Sequence, residues 1–98
     1  MGIYTKYLIC YDIEKDKTRK KFFEGMKDLG LVPIQKSVFY GDLTFPEFTA
    51  VKKLAKDMLD AKTDKCLWLK CTLDVNEVKK CIGYTNFSYS EPDGYAAI

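Results

Sequence analysis

The sequence predicts an α+β fold of the ferredoxin-like kind, in which the element order βαββαβ forms one antiparallel sheet. The chain has 98 residues, of which 47% are hydrophobic, so it can bury one core and is too short for two. Its apolar segments change between strand and helix periodicity in that same order. We assign residues 1–85 to this domain and expect a loosely ordered tail over residues 86–98.

The first strand is KYLICYDI, residues 6–13, which is apolar almost throughout and therefore suits a central strand buried on both faces. A helix follows over residues 17–29, where apolar side chains recur at helical spacing. Asp16 or Thr18 is suited to cap its start, and Gly30 is placed to end it in a left-handed turn.

The next segment, LVPIQKSVFYGDL at residues 31–43, has strand composition but is long for one strand. We divide it near Lys36 and Ser37 into two strands. Pro33 has no amide hydrogen to donate to a sheet ladder, so the first of these strands is expected to lie or begin at an edge.

A second helix is predicted to begin after Thr44, because Thr44 and Glu47 have the spacing of a capping box and Pro46 lies in the first turn. We expect it to end near Asp60. Its apolar positions form one stripe: Phe48, Val51, Leu54, Ala55, Met58 and Leu59.

The C-terminal part of the chain carries one more strand than the fold requires. CLWLKCTL, residues 66–73, alternates and predicts a half-buried strand with Leu67 and Leu69 on the face opposite Trp68. A helical turn over residues 74–80 is followed by CIGYT, residues 81–85, which predicts a last short strand. Because a terminal strand needs an edge with which to pair, we expect a homodimer.

Composition excludes several kinds of chemistry. The chain contains no histidine, which rules out Ser-His and Cys-His nucleophile pairs and histidine-ligated metals. The formal charge of +2 does not by itself mark a nucleic-acid binder, although basic residues crowd into residues 15–21. A solvated helix face and a phosphate-binding patch both account for that cluster.

The cysteines show no Cys-x-x-Cys pair, and no N-terminal apolar run has the length and flanks of a signal peptide. We therefore expect reduced thiols and a cytoplasmic location.

Asp12 is the most unusual residue, because this acid stands in phase with Leu8 and Cys10 at the end of an apolar strand. It either caps the following turn or pairs with a lysine, or it binds Mg²⁺, an ion that takes one or two carboxylates together with waters and phosphate. One chain supplies only one such acid. A twofold axis close to Asp12 would bring two together.

Three further residues are candidates for the same chemistry as Asp12. The phenol of Tyr11 either orients a water or phosphate or simply packs. Arg19 is the only arginine, and its planar guanidinium suits a phosphate or a salt bridge equally well. Ser37 lacks a basic partner that would make it a nucleophile.

The stretches YLICYDIEKDKTRKKFFEGMKDLG, IQKSVFYGDLT and KKCIGYT resemble the CRISPR-associated endoribonuclease family, the small "Cas two" protein of the adaptation machinery. The most specific part is the strand-end YD followed by IQxSVFxG. By this resemblance Asp12 matches the family's metal-binding acid, preceded by Tyr11. Arg19 matches the arginine of the first helix, and Ser37 and Phe39 match the SVF segment. These five residues are our candidate catalytic residues, with Asp12 as the Mg²⁺ ligand.

One departure concerns the position just before IQ, where family members often carry a basic residue and this chain has Pro33. Lys36 is the expected substitute. The residues expected to contact nucleic acid are Lys15, Lys17, Arg19, Lys20 and Lys36.

The resemblance also implies a homodimer whose C-terminal strand crosses to the partner chain. It implies Mg²⁺-dependent cleavage of RNA or double-stranded DNA, and a complex with the larger CRISPR integrase that inserts new spacers. A non-catalytic DNA-binding scaffold in that complex and a toxin-like ribonuclease of the same fold remain alternatives.

Overall fold

The structure, a computed structural model, describes residues 3–92. The elements in chain order are β1 (Thr5–Asp12), α1 (Asp16–Asp28), β2 (Val32–Gln35), β3 (Val38–Leu43), α2 (Phe45–Met58), β4 (Lys65–Lys70) and α3 (Val75–Lys79). The four strands form one antiparallel sheet in the order β2-β3-β1-β4. The predicted ferredoxin-like α+β fold is confirmed.

Strand β1 lies at the centre of the sheet, between β3 and β4, as predicted. One of its faces, with Tyr7, Ile9 and Tyr11, is buried in the core shared with α1 and α2. The other face, with Leu8 and Cys10, is only half-buried. The expectation of burial on both faces therefore holds for the helix-covered face alone.

Helix α1 confirms the predicted segment but not its predicted cap. Lys15 occupies the N-cap position, and no side chain caps the helix there. Asp16 lies instead inside the first turn, where its negative charge is favourable next to the helix N-terminus. Gly30 ends the helix with φ +90°, as expected of a left-handed glycine.

The division of residues 31–43 into two strands is confirmed, with a turn at Lys36 and Ser37 between them. Strand β2 is an edge strand, so Pro33 does lie where its missing amide hydrogen breaks no central ladder. The ladder between β2 and β3 shifts register between Pro33 and Gln35.

The start of α2 is the predicted capping box. The Thr44 hydroxyl accepts from the Glu47 amide at 3.2 Å, and the Glu47 carboxylate accepts from the Thr44 amide at 2.8 Å. The helix ends at Met58, slightly before the predicted Asp60. Val51 and Ala55 of the predicted stripe are buried against the sheet.

Strand β4 is the other edge of the sheet and is less buried than predicted. Its side chains alternate as expected: Cys66 packs against the core, whereas Leu67 and Leu69 are on the opposite face, 57% and 44% exposed. These leucines lie beside Cys10 and Leu8 of β1 on the face that the two long helices do not cover.

The helical turn predicted over residues 74–80 is α3, which begins with its own capping box between Asp74 and Glu77. The further strand predicted over residues 81–85 is not formed; the chain makes successive turns there. A strand forms only where its backbone finds an edge to pair with, and the structure contains one chain.

The tail predicted to be loosely ordered is packed on the domain over its first part. The rings of Phe87 and Tyr89 meet the Tyr40 ring edge-on, with centroids 5.6 and 5.4 Å away. The Tyr89 hydroxyl also donates to the Asp42 carboxylate at 2.9 Å. The rest of this predicted tail, residues 93–98, lies outside the described residues.

All four cysteines have free thiols. Within the described part of the chain, no helix combines the length and apolar character that crossing a membrane requires.

Candidate nucleic-acid and metal site

The structure separates the predicted site residues onto two sides of the sheet. Asp12 follows the phase of Leu8 and Cys10, as predicted, and is exposed at the end of β1. Tyr11 points to the opposite face and is buried, because consecutive side chains of a strand alternate. Neighbours in sequence therefore contribute to two different surfaces at one end of the strand.

On the helix side, a cleft of about 340 Å³ joins α1 to the turn between β2 and β3. We call it the basic cleft. It brings together three of the predicted nucleic-acid-binding residues, Arg19, Lys20 and Lys36. Its lining is Tyr11, Asp16, Arg19, Lys20, Phe23 and Lys36.

Arg19 is anchored within this cleft. One terminal nitrogen of its guanidinium donates to the Ile13 carbonyl at 2.8 Å, and the other pairs with the Asp16 carboxylate. These contacts use two of the five N–H donors of the group. The half-exposed guanidinium is thus held in position and still presents its charge to the cleft.

Tyr11 forms the floor of the basic cleft. Its ring contacts Phe22 and Phe39, with centroids 5.1 and 6.0 Å away, and its hydroxyl donates to the Lys36 carbonyl at 3.2 Å. Burial raises the pKa of Tyr11, against a smaller lowering by Arg19, so the phenol is protonated at neutral pH. Tyr11 therefore fixes the turn that carries Lys36.

Ser37 and Phe39, although predicted as catalytic candidates, do not line the cleft. Ser37 lies in the turn, where its carbonyl accepts from the Tyr11 amide at 3.0 Å. Phe39 is 0% exposed and packs against Tyr11 and Phe23. In the single chain this buried ring supports Tyr11 from the core, and the catalytic assignment of Phe39 stays a prediction.

The two remaining predicted nucleic-acid contacts lie outside the cleft. Lys15 and Lys17 are exposed at the start of α1. They extend the positive surface beside Arg19 and Lys20 without joining the pocket itself.

Asp12 lies on the other side of the sheet, opposite Lys65 in the ladder between β1 and β4. It borders a shallow pocket lined by Cys10, Tyr11, Asp12, Lys65, Cys66 and Leu67. Across residues 3–92 no cluster of three or more potential metal-ligating side chains occurs. A single exposed carboxylate fits Mg²⁺ as one hard oxygen ligand, with waters and further groups completing the shell.

Sequence reasoning missed Lys65, which borders the Asp12 pocket. Lysine before an apolar strand is unremarkable by itself, and its place opposite Asp12 depends on the register of two strands far apart in the chain. The one available signal for this contact was that the ferredoxin-like fold places β4 antiparallel to β1, so that the start of β4 lies near the end of β1.

The fold and site together define a small ferredoxin-like protein with a basic cleft and an exposed acid at the same end of its first strand. The family described as CRISPR associated protein Cas2 matches residues 5–80, and the chain belongs to this family.

Individual proteins agree with this membership. The CRISPR-associated endoribonuclease Cas2 1 of Francisella tularensis subsp. novicida (strain U112) is 32% identical over 98 residues, covering 100% of both chains. The CRISPR-associated endoribonuclease Cas2 of Desulforudis audaxviator (strain MP104C) is 54% identical over 39 residues, which are 40% of this chain and 37% of that one.

Solved structures share the fold. Streptococcus pyogenes Cas2 superposes with a TM-score of 0.67 at 23% identity, over 80% of this chain and 99% of the other. The hypothetical protein TT1823 from Thermus thermophilus gives a TM-score of 0.66 at 26% identity, over 71% of this chain and 84% of the other.

Proposed function

We propose that this chain is a homodimeric, Mg²⁺-dependent endonuclease of CRISPR spacer acquisition that cleaves RNA or double-stranded DNA. Relatives named endoribonuclease support nuclease activity. The observation that carries the proposal is Asp12, an exposed carboxylate at the end of the central strand, beside the exposed leucines of β4. Family membership favours this function over a toxin-like ribonuclease.

The homodimer is supported by the sheet face that bears Asp12. Leu67, Leu69 and Leu73 are all large, apolar and exposed on that side of the chain. A second copy covering this face would remove them from water and would bring its own Asp12 towards the first. The outer edge of β4 is also open within the described residues, and we propose that residues 81–85 of the partner pair with it.

In this mechanism the chain's own residues hold the substrate and the ion. Arg19, Lys20 and Lys36 bind backbone phosphates in the basic cleft, and Tyr11 keeps the turn of Lys36 in place. The two Asp12 carboxylates of the dimer are the ligands that would hold Mg²⁺. Mg²⁺ held there would supply Lewis-acid chemistry for the phosphate and the attacking water.

The test is Mg²⁺-dependent cleavage of labelled RNA and duplex DNA by the full chain and by Asp12→Asn. We expect the substitution to reduce cleavage by at least about 100-fold, the scale of removing one essential preorganised group. Sedimentation should show the same dimer. Asp28→Asn, at an exposed aspartate that ends α1, is the matched control and should cleave normally.

Equal cleavage by Asp12→Asn and the unchanged protein would contradict the nuclease assignment. The second candidate, a DNA-binding scaffold that joins the CRISPR integrase, is favoured by the single carboxylate that each chain offers. If the chain is a scaffold, the Asp12→Asn variant should support spacer acquisition as well as the unchanged protein does. Its affinity for duplex DNA should fall steeply as the salt concentration rises.

A further inference from the structure

Arg19 lies in the basic cleft with its outer edge already engaged. Asp16 precedes it in the first turn of α1, at a spacing that places both side chains on one face of the helix. The Asp16 carboxylate accepts from one terminal nitrogen of the guanidinium, and the Ile13 carbonyl accepts from the other at 2.8 Å. Arginine binds a phosphate through two parallel N–H groups. An incoming phosphate therefore meets a guanidinium whose terminal nitrogens both have acceptors.

The two acceptors differ in how firmly they are held. Ile13 is only 3% exposed, and its carbonyl belongs to the turn between β1 and α1, so it cannot leave Arg19 unless the backbone shifts. The Asp16 side chain is 92% exposed, and within residues 3–92 its side-chain hydrogen bond is the one from Arg19. An exposed ion pair is weak, because water solvates both charges. Asp16 is thus the acceptor that an incoming anion can replace.

Asp16 also affects the charge of the cleft as a whole. Among the described residues, it is the one acid in a lining that contains three cations, Arg19, Lys20 and Lys36. These cations attract a phosphate, whereas the carboxylate repels it. The cleft therefore contains its own competing anion.

We propose that Asp16 competes with the backbone phosphates of a nucleic acid for Arg19 and thereby sets the affinity of the basic cleft. The inference rests on the proposed function for its ligand. A phosphate oxygen replaces the carboxylate on the guanidinium, and the Asp16 side chain turns into solvent. Because the carboxylate stays tethered in the same helical turn, it pairs with Arg19 again when the phosphate leaves. The cleft consequently releases a bound strand more readily than its cations alone would allow.

The sign of a mutational effect distinguishes competition from a supporting role. If Asp16 served to orient Arg19 towards a phosphate, its loss should weaken binding. If it served only the N-terminus of α1, where a negative charge is favourable, its loss should leave binding unchanged. Competition alone predicts tighter binding when the carboxylate is removed.

The test is the affinity of the full chain for a fluorescein-labelled DNA duplex and for a labelled RNA, measured by anisotropy in EDTA so that no Mg²⁺-dependent cleavage intervenes. Asp16→Asn should bind about 3-fold more tightly, the scale of one exposed ion pair. Asp28→Asn makes the same change at the other end of α1, about 18 Å away, and should bind like the unchanged protein. Circular dichroism should show that both variants fold.

A second comparison shows whether the effect depends on Arg19. Asp16→Asn should tighten binding much less when Arg19→Gln is already present, since no guanidinium is then left for which to compete. An equal gain in both backgrounds would overturn the proposal, because it would reflect net charge alone. Unchanged or weaker binding by Asp16→Asn would overturn it as well.

The affinity measurement needs neither Asp12 nor a metal ion, so it separates this proposal from the nuclease assignment. Tighter binding by Asp16→Asn in a protein that shows no cleavage would contradict the proposed nuclease alone. Cleavage by the unchanged protein without any gain from Asp16→Asn would contradict the competition alone. A protein that binds neither the duplex nor the RNA would contradict both.

Discussion

At the scale of single residues, the most unusual feature is a buried ion pair that spans β1 and β3. Lys6 and Asp42 face each other in the ladder, their charged atoms are 2.9 Å apart, and their side chains are 4% and 0% exposed. Tyr89 donates to the same carboxylate, and the Lys6 ammonium lies 4.9 Å from the centre of the Tyr40 ring. Burial lowers the pKa of Lys6, but the hydrogen bond and charge of Asp42 outweigh it and leave the pKa raised. The Lys6 ammonium therefore stays charged across the neutral range.

Because each charge compensates for burial of the other, removing one should cost more than the pair contributes. Lys6→Met should lower the free energy of unfolding by roughly 3–5 kcal/mol, since it leaves Asp42 buried without its cation. Urea titration followed by circular dichroism measures this. Lys53→Met breaks the exposed pair with Asp57 and should leave the free energy of unfolding almost unchanged. Equal losses in the two variants would contradict this account.

The sequence predicts which side chains of one strand share a face of the sheet. It does not predict which side chains of different strands contact each other. The phase of Asp12 with Leu8 and Cys10 follows from alternation and is confirmed. The pairing of Lys6 with Asp42 was missed because it depends on register between two strands. Phe39 was matched by resemblance to a catalytic position, and its full burial beneath Tyr11 could not be read from the sequence.

At the scale of elements, signals contained in a few adjacent residues proved the most reliable. The capping box of Thr44 and Glu47 and the left-handed Gly30 were both predicted and both found. The strand over residues 81–85 is not formed in the single chain, because its formation depends on an edge outside its own segment, and its pairing with a partner stays a prediction. The prediction that Asp16 or Thr18 caps α1 was wrong, because Lys15 occupies the N-cap position one residue before Asp16.

The capping box of α2 makes a measurable prediction. Thr44→Ala removes the hydroxyl that accepts from the Glu47 amide and should destabilise the protein by about 1 kcal/mol. Thr44→Ser keeps the acceptor and should lose little. Thermal unfolding measures both variants. Thr49→Ala, at an exposed position within the same helix, should be neutral or slightly stabilising; a loss there as large as for Thr44→Ala would argue against capping.

At the scale of the whole molecule, the two faces of the sheet differ in what covers them. The two long helices bury one face, while the other is covered over Tyr40 by Phe87 and Tyr89 and presents exposed leucines of β4 beside Asp12. Hydrophobic spacing predicted the alternation of β4 but not that its leucines stay uncovered in a single chain. That outcome depends on the arrangement of all the elements, and it links the proposed dimer to the proposed metal site.

A charge placed on this uncovered face therefore tests assembly and chemistry together. Leu69→Lys should convert the dimer to a monomer, measured by sedimentation, because a second copy would have to bury the new ammonium. Phe45→Lys changes a still more exposed apolar side chain at the start of α2, away from this face, and should remain dimeric. If one ion requires two Asp12 carboxylates, the monomeric variant should also lose Mg²⁺-dependent cleavage while its basic cleft still binds nucleic acid. Cleavage by a proven monomer would contradict the shared site, and a dimer that survives Leu69→Lys would contradict this face as the interface.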